Sequence, residues 1–202
     1  MSQQLERLLP VLAAIPGVNI PAAFFQSAYV AASQRKIEQL EQALRYQVGL
    51  LNQKIEAGKL RLDHEYVRSE SFTANVIQTL RAAEIADSED KLKFIAQALL
   101  GCTTSLPHKN INKSLCMRIV EQITTEEMEF IVNVTRDGKF KRRIGDLMGS
   151  VPFVETDDNT VIARGLIQLG LLASYSGYDQ AIHLQPSILA EHLILLAGQT
   201  TS

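Results

Sequence analysis

Residues 37–58 read IEQLEQALRYQVGLLNQKIEAG. Ile37, Leu40, Leu44, Val48, Leu51 and Ile55 follow one another at spacings of 3, 4, 4, 3 and 4. That rhythm keeps one narrow apolar stripe on a single side of a helix for about five turns. Glu38, Gln39, Glu41, Gln42, Arg45, Gln47, Asn52 and Lys54 fill the other sides. Gly58 lies just past the stripe, where a helix C-cap favours glycine. The pattern covers fewer than three heptads, too few to define a coiled coil. It predicts a bundle helix packed on the segment before it, with a dimer seam as the alternative.

The segment before it carries no Asp, Glu, Lys or Arg between Arg7 and Arg35. A membrane span needs about 20 apolar residues in one continuous helix. Pro16, Gly17 and Pro21 interrupt this one. Two short helices are expected instead, over 3–15 and 21–33, joined by a Pro-Gly turn, with Pro10 kinking or dividing the first. Glu6 beside Arg7 leaves no positively charged start, so a signal peptide is not indicated. The expected structure is a buried helical hairpin that opens the core. Phe24, Phe25 and Tyr29 fall on one face, and with Ile37, Leu40 and Leu44 they form a candidate apolar interface, for a second copy or a membrane surface.

Beyond residue 58 the helical pattern continues. Ser69 or Ser71 can cap a helix to about residue 84, with Phe72, Val76, Leu80 and Ala83 inward. Asp87 or Ser88 can cap another, with Leu92, Ile95, Leu99 and Leu100 inward. Its acidic first turn suits the helix dipole and needs no metal. Gly101 is expected to end it, and polar residues 102–112 read as a linker. Leu115, Ile119, Val120 and Ile123 mark a further helix. Thr124 with Glu127 forms a capping-box pattern for the next. The basic residues Arg136, Lys139, Lys141, Arg142 and Arg143 then cluster, opposed locally by Asp137.

The C-terminal stretch has its own order. Asp157, Asp158 and Asn159 can start a helix holding Val161, Ile162, Leu166, Ile167 and Leu169, and Gly170 ends it. Residues 171–176 and 180–185 read as strands of a hairpin around Gly177, Tyr178 and Asp179. Ser187 caps a last helix with Leu193 and Leu196. Helix, Gly165-Leu166-Ile167, Gly170-Leu171-Leu172, hairpin, helix: across 113–198 this resembles a winged-helix domain. The expected fold class is mainly α, a helical bundle over 1–110 followed by a small winged-helix-like α+β domain over 111–202.

Composition excludes some functions. The 202 residues carry 20 Lys and Arg against 22 Asp and Glu. Apolar residues are 46%, enough to build a core, so general disorder is excluded. Residues 1–110 hold 12 cations and 11 anions, and residues 111–202 hold 8 and 11. The resemblance implies that the helix before the hairpin would read DNA, but here it starts with Glu155, Asp157 and Asp158 and carries one cation, Arg164. Acid at that position repels phosphate. Nucleic-acid binding through this helix is not expected. The 136–143 cluster is instead a candidate patch for an acidic partner or anionic ligand.

Catalytic spacings are missing: no Walker A loop, GxGxxG, GxSxG or HExxH occurs. His64, His108, His183 and His192 are dispersed. Asp63, His64 and Glu65 are consecutive and point different ways, a polar connector. Cys102, His108 and Cys116 match no paired zinc knuckle. No cofactor or metal is expected, and Cys116 reads as a small hydrophobe on its helix. The two cysteines suit a reducing, cytoplasmic compartment.

One wider resemblance remains. Ile15-Pro16-Gly17, Ser69-Glu70-Ser71-Phe72 and the 90–96 segment DKLKFIA lie in an order similar to that of bacterial helical proteins of the abortive-infection Abi-alpha type, over about residues 8–130. The resemblance implies a role in phage defence or stress response and brings no catalytic residues. Three functions compete: a non-enzymatic, self-associating or protein-binding module; a membrane-acting effector using residues 8–34; and a winged-helix transcriptional regulator. The first is favoured.

Overall fold

The computed structural model of the chain describes residues 3–18, 20, 34–105, 111–136, 151–152, 157–176 and 182–198. Among them are eight α-helices and a small antiparallel sheet. The helices are α1 (Gln3–Ala13), α2 (Gln34–Glu56), α3 (Glu70–Ile85), α4 (Glu89–Cys102), α5 (Lys113–Gln122), α6 (Thr125–Arg136), α7 (Asp157–Gln168) and α8 (Ile188–Gly198). A 3-10 turn, Tyr66–Arg68, precedes α3. The strands are β1 (Val151–Pro152), β2 (Leu172–Ser176) and β3 (Ile182–Pro186). The chain divides into two compact units, Met1–Gln122 with Leu195–Ser202, and Ile123–Ile194.

In the first unit the 37–55 stripe folds as read. Ile37, Leu40, Leu44, Val48 and Leu51 are all buried on α2. α1 packs on α2, and its Leu8, Val11 and Leu12, with Ile15 beyond it, are buried. Pro10 sits inside α1 without ending it, on the exposed side. The Pro-Gly turn follows, with the Val18 N–H donating to the Ile15 carbonyl at 3.2 Å. The expected helix at 21–33 lies outside the described residues.

α4 is the centre of this unit and touches α2, α3 and α5. It is buried nearly all round: Leu92, Phe94, Ile95, Ala96, Ala98, Leu99, Leu100, Gly101 and Cys102 are all covered. Ser69 caps α3 by accepting from the Phe72 N–H, and Ser88 caps α4 by accepting from the Lys91 N–H. Lys36 Nζ donates to the Glu84 carbonyl in the last turn of α3, where the dipole favours a cation.

Two expectations fail at the end of α4. Gly101 does not stop the helix, which continues through Cys102. A Cβ there would lie 2.0 Å from the Leu196 carbonyl oxygen, so glycine is required by the close passage of another backbone. The linker expected over 102–112 does not begin there either: Cys102 belongs to α4 and residues 103–104 are packed, while residues 106–110 lie outside the described residues. Thr103 and Thr104 are buried, and Thr104 bridges Leu62. Their hydroxyls donate to the Leu100 and Gly101 carbonyls, while Asp63 N–H and Ser105 N–H pair with Thr103 and Arg61.

The boundary between units also falls later than residue 110. α5 packs on α3 and α4, burying Cys116, Met117, Ile119 and Val120, and so groups with the first unit.

In the second unit the capping box is formed. Glu127 Oε2 accepts from the Thr124 N–H at 2.9 Å, and Thr124 Oγ1 accepts from the Glu127 N–H at 3.2 Å. α6 packs on α7 closely enough that a Cβ on Gly165 would meet the Glu127 carboxylate. Gly170, at φ +72°, closes α7: its N–H donates to the Ile167 carbonyl and the Leu171 N–H to that of Leu166. That paired cap needs a left-handed residue, and Gly58 ends α2 in the same way. The sheet order is β1-β3-β2. Leu172 faces Pro186 and Ser176 faces Ile182 across the hairpin, while Val151 faces Leu184. The second hairpin strand is described from Ile182, and residues 180 and 181 of the expected strand lie outside the described residues. Ser187 caps α8 by accepting from the Ala190 N–H, and its own hydroxyl donates to the Gly170 carbonyl.

Candidate binding site

Beside its buried stripe, α2 carries a second, polar row: Gln39, Gln42, Ala43, Tyr46 and Gln47. On α4, Glu89, Lys93 and Gln97 recur every four residues and face it. Between them lies a half-open pocket of about 380 Å³ lined by these eight residues. That is within the usual size range of small-molecule sites, roughly 300–1,000 Å³. Four of the eight linings are glutamines, so the pocket is rich in neutral groups that both donate and accept.

Its lining residues differ sharply in exposure. Tyr46 is 63% exposed at the rim, whereas Gln47 is only 4% exposed. Gln47 lies between Leu44 and Val48, so the helix carries it toward the core side of the row. Its Oε1 is buried and has no hydrogen-bond partner. A buried acceptor left in that state costs about 1–3 kcal/mol. Lys93, at the rim, is already engaged: Nζ lies 3.1 Å from Asp90 Oδ1 and 3.4 Å from Glu89 Oε1. Its hydrogen bond to Asp90 and the nearby charges hold the ammonium above its usual range.

A second polar cluster in the same unit is structural. Lys113 Nζ, at the start of α5, lies 2.9 Å from Asp63 Oδ2 and 3.3 Å from the Thr104 carbonyl. It also stands 3.9 Å from the centroid of the Tyr66 ring, a cation–π geometry. Asn75 Nδ2 donates to the Tyr66 hydroxyl, and the Tyr66 N–H donates to Asp63 Oδ1. Partial burial works against the Asp63 anion, but the Lys113 and Tyr66 hydrogen bonds outweigh it and hold the carboxyl below its usual range. Asp63 is therefore one end of a clasp rather than part of a bare connector. Burial pushes the Tyr66 phenol and the Cys102 thiol up, and the Cys116 thiol up to about 11. Both thiols stay protonated near neutral pH and are poor nucleophiles.

Sequence-predicted site residues are placed as follows. Ile37, Leu40 and Leu44 are 1%, 0% and 1% exposed, so the chain's own core takes up this part of the candidate interface. Their side chains are covered where α2 meets α1 and α4. Phe24, Phe25 and Tyr29 lie outside the described residues, as do Lys139, Lys141, Arg142 and Arg143. Arg136 is the last residue of α6. Of the imagined zinc ligands, Cys102 and Cys116 are buried and His108 lies outside the described residues. Among the described residues, no group of three or more His, Cys, Asp or Glu is placed to hold a metal, and no helix is long and apolar enough to cross a membrane. On α7, Val161 is 72% exposed, and Arg164 and Gln168 are exposed on the same side.

The glutamine pocket was missed in the sequence because it joins two helices about 50 residues apart. The signal available was the surplus of glutamine beside the α2 stripe. Comparison with protein-family models, with curated proteins and with solved structures finds no match to this chain.

Proposed function

We propose that the chain is a non-enzymatic interaction module whose second unit is winged-helix-like and binds a protein partner, or a second copy, through α7. The sheet order supports the winged-helix reading. β1 precedes α7 in the chain, yet it pairs with β3, the far strand of the hairpin that follows α7. α6 before and α8 after complete the order expected for that architecture.

The observation that carries the binding reading is the outward side of α7. Val161, Arg164 and Gln168 recur at spacings of three and four and are all exposed. A large apolar residue 72% exposed beside one cation and one amide suits a protein surface. It suits the phosphate backbone poorly, because neutralising phosphates requires several cations. Aspartates at the start of α7 add to that mismatch. The Abi-alpha-type resemblance supports phage defence or stress response as the setting, and it is the sole support for it.

Photo-crosslinking tests this reading. A benzophenone amino acid at position 161 should give a discrete protein adduct on irradiation in the host cell. The same group at Glu129, exposed on α6, should not. An adduct to nucleic acid, or tight duplex binding at low salt lost by Val161→Asp, would overturn it in favour of DNA recognition.

A further inference from the structure

We propose that α7 pairs with α7 of a second copy of this chain, antiparallel, across a two-fold axis at Val161. The inference rests on the reading of α7 as a binding face and names its partner.

The outward side of α7 is a short charged row built round one apolar residue. Asp157 starts the helix, Val161 follows four residues later, and Arg164 three after that. At about 100° per residue, positions 157, 161, 164 and 168 fall within about 60° of one another round the axis. Ala163 and Leu166 are buried on the opposite side, and Gly165 packs against Glu127 of α6. Val161 is 72% exposed, and Arg164 and Gln168 are exposed with it. Arg164 is the one cation in the α7 sequence, and its two acids, Asp157 and Asp158, both lie at the start. The row therefore has an acidic end, an apolar centre and a basic end.

A row of that kind is complementary to itself turned end for end. Two-fold symmetry requires this, because residue i of one copy must suit residue j of the other and the reverse. At a rise of about 1.5 Å per residue, Asp157 stands about 6 Å before Val161 and Arg164 about 4.5 Å after it. A two-fold at Val161 sets the two valines against each other. It also brings Arg164 of each copy nearly level with Asp157 of the other. The same geometry chooses between the aspartates. A two-fold perpendicular to both helices keeps each residue on its own flank, and positions 157 and 164 share a flank of Val161 while 158 lies on the other. A parallel pair would instead set Arg164 against Arg164. A three-turn helix offers less than the roughly 1,200 Å² of a stable interface, so the dimer is weak and exchanges with monomer. Its ion pairs fix orientation more than affinity.

Cysteine crosslinking of the full chain in solution tests the pairing. Val161→Cys puts two thiols on the axis, within disulfide reach at the roughly 8–10 Å separation of packed helices. Diamide is the oxidant: two thiols become one disulfide, and the diazene takes up both electrons and both protons to give the hydrazine. Cys102 and Cys116 are buried and do not compete. The covalent dimer should form at least about tenfold faster than from Glu129→Cys, an exposed position on α6. Adding Arg164→Asp to Val161→Cys should slow it at least about tenfold, because like charges then face each other twice. Adding Asp157→Lys instead should do the same. Mixing the two charge-reversed proteins should restore fast crosslinking, now between unlike copies. Crosslinking no faster at 161 than at 129 would overturn the proposal. So would a rate that both reversals leave unchanged, or one that mixing fails to restore. Circular dichroism checks each variant, and if Asp157→Lys does not fold, the Arg164→Asp result decides. Failure of this pairing leaves α7 as a binding face when the benzophenone at 161 yields an adduct to a different protein. No protein adduct at 161 removes that reading as well.

Discussion

Two glycines in helices show how differently one residue type can be used. Gly49 lies midway along α2, exposed, and a Cβ built on it meets nothing within 4 Å. Nothing in the fold requires it, so Gly49→Ala should stabilise the chain by about 0.5–1 kcal/mol through helix propensity. Gly101 lies in the last turn of α4, where a Cβ would be 2.0 Å from the Leu196 oxygen and 2.6 Å from its carbonyl carbon. Those are backbone atoms and cannot swing aside. Gly101→Ala should therefore cost about 1–3 kcal/mol or more, because overpacking exceeds the propensity gain. Urea denaturation of the two variants measures this. Equal midpoints would contradict the close backbone passage.

At the scale of elements, the clasp that ties the start of α5 to the loop after α2 is sensitive to acid. Asp63 is held ionised by Lys113, so its folded pKa lies below its unfolded value of about 3.9. Its contribution is fully present above that unfolded value and is lost as pH falls through the folded one. Asp63→Asn should destabilise the chain by about 1–2 kcal/mol at neutral pH, leaving the Lys113 ammonium without its anion. As pH falls below about 3.9 the gap between variant and parent should begin to narrow, and it should close once the folded carboxyl, whose pKa is lower, is protonated as well. A gap that is constant from pH 7 to pH 3 would rule out the ionic contribution.

The same scale explains what was legible in the sequence. Ser69, Ser88, the Thr124–Glu127 box, Gly58 and Gly170 all act within about five residues of themselves, and local spacing announces such roles. Gly101 was misread as a stop because its partner, Leu196, is 95 positions away. Thr103 and Thr104 looked like linker because their polarity is answered by the preceding turn and by residues 61–63. The pocket was illegible for a related reason. Its chemistry resides in common glutamines that acquire meaning when α4 places Lys93 and Gln97 opposite them. Helix periodicity reports which side of a helix is buried, not which polar side finds a neighbour.

On the scale of the whole molecule, residues from Leu195 onward group with the first unit, although 72 intervening residues, 123–194, belong to the second. Leu196 is fully buried and Ala197 nearly so, and the Leu196 carbonyl lies against the place where Gly101 lacks a side chain. The first unit is thus completed by residues that follow the second unit along the chain. A chain ending after Ile194 would leave that part of α4 uncovered. Removing one well-buried leucine costs about 2–5 kcal/mol, and deleting the following buried alanine adds to it. The truncated chain should lose that much stability in the first unit, and amide exchange should accelerate along α4, the element it uncovers. Leu196→Ala in the full chain should reproduce most of the loss while keeping the backbone in place. If the truncated chain protects α4 amides as well as the parent does, the C-terminal segment contributes nothing to the first unit. Faster exchange in α4 together with an unchanged α6–α7 pair would instead locate the loss in the first unit, as its close passage at Gly101 requires.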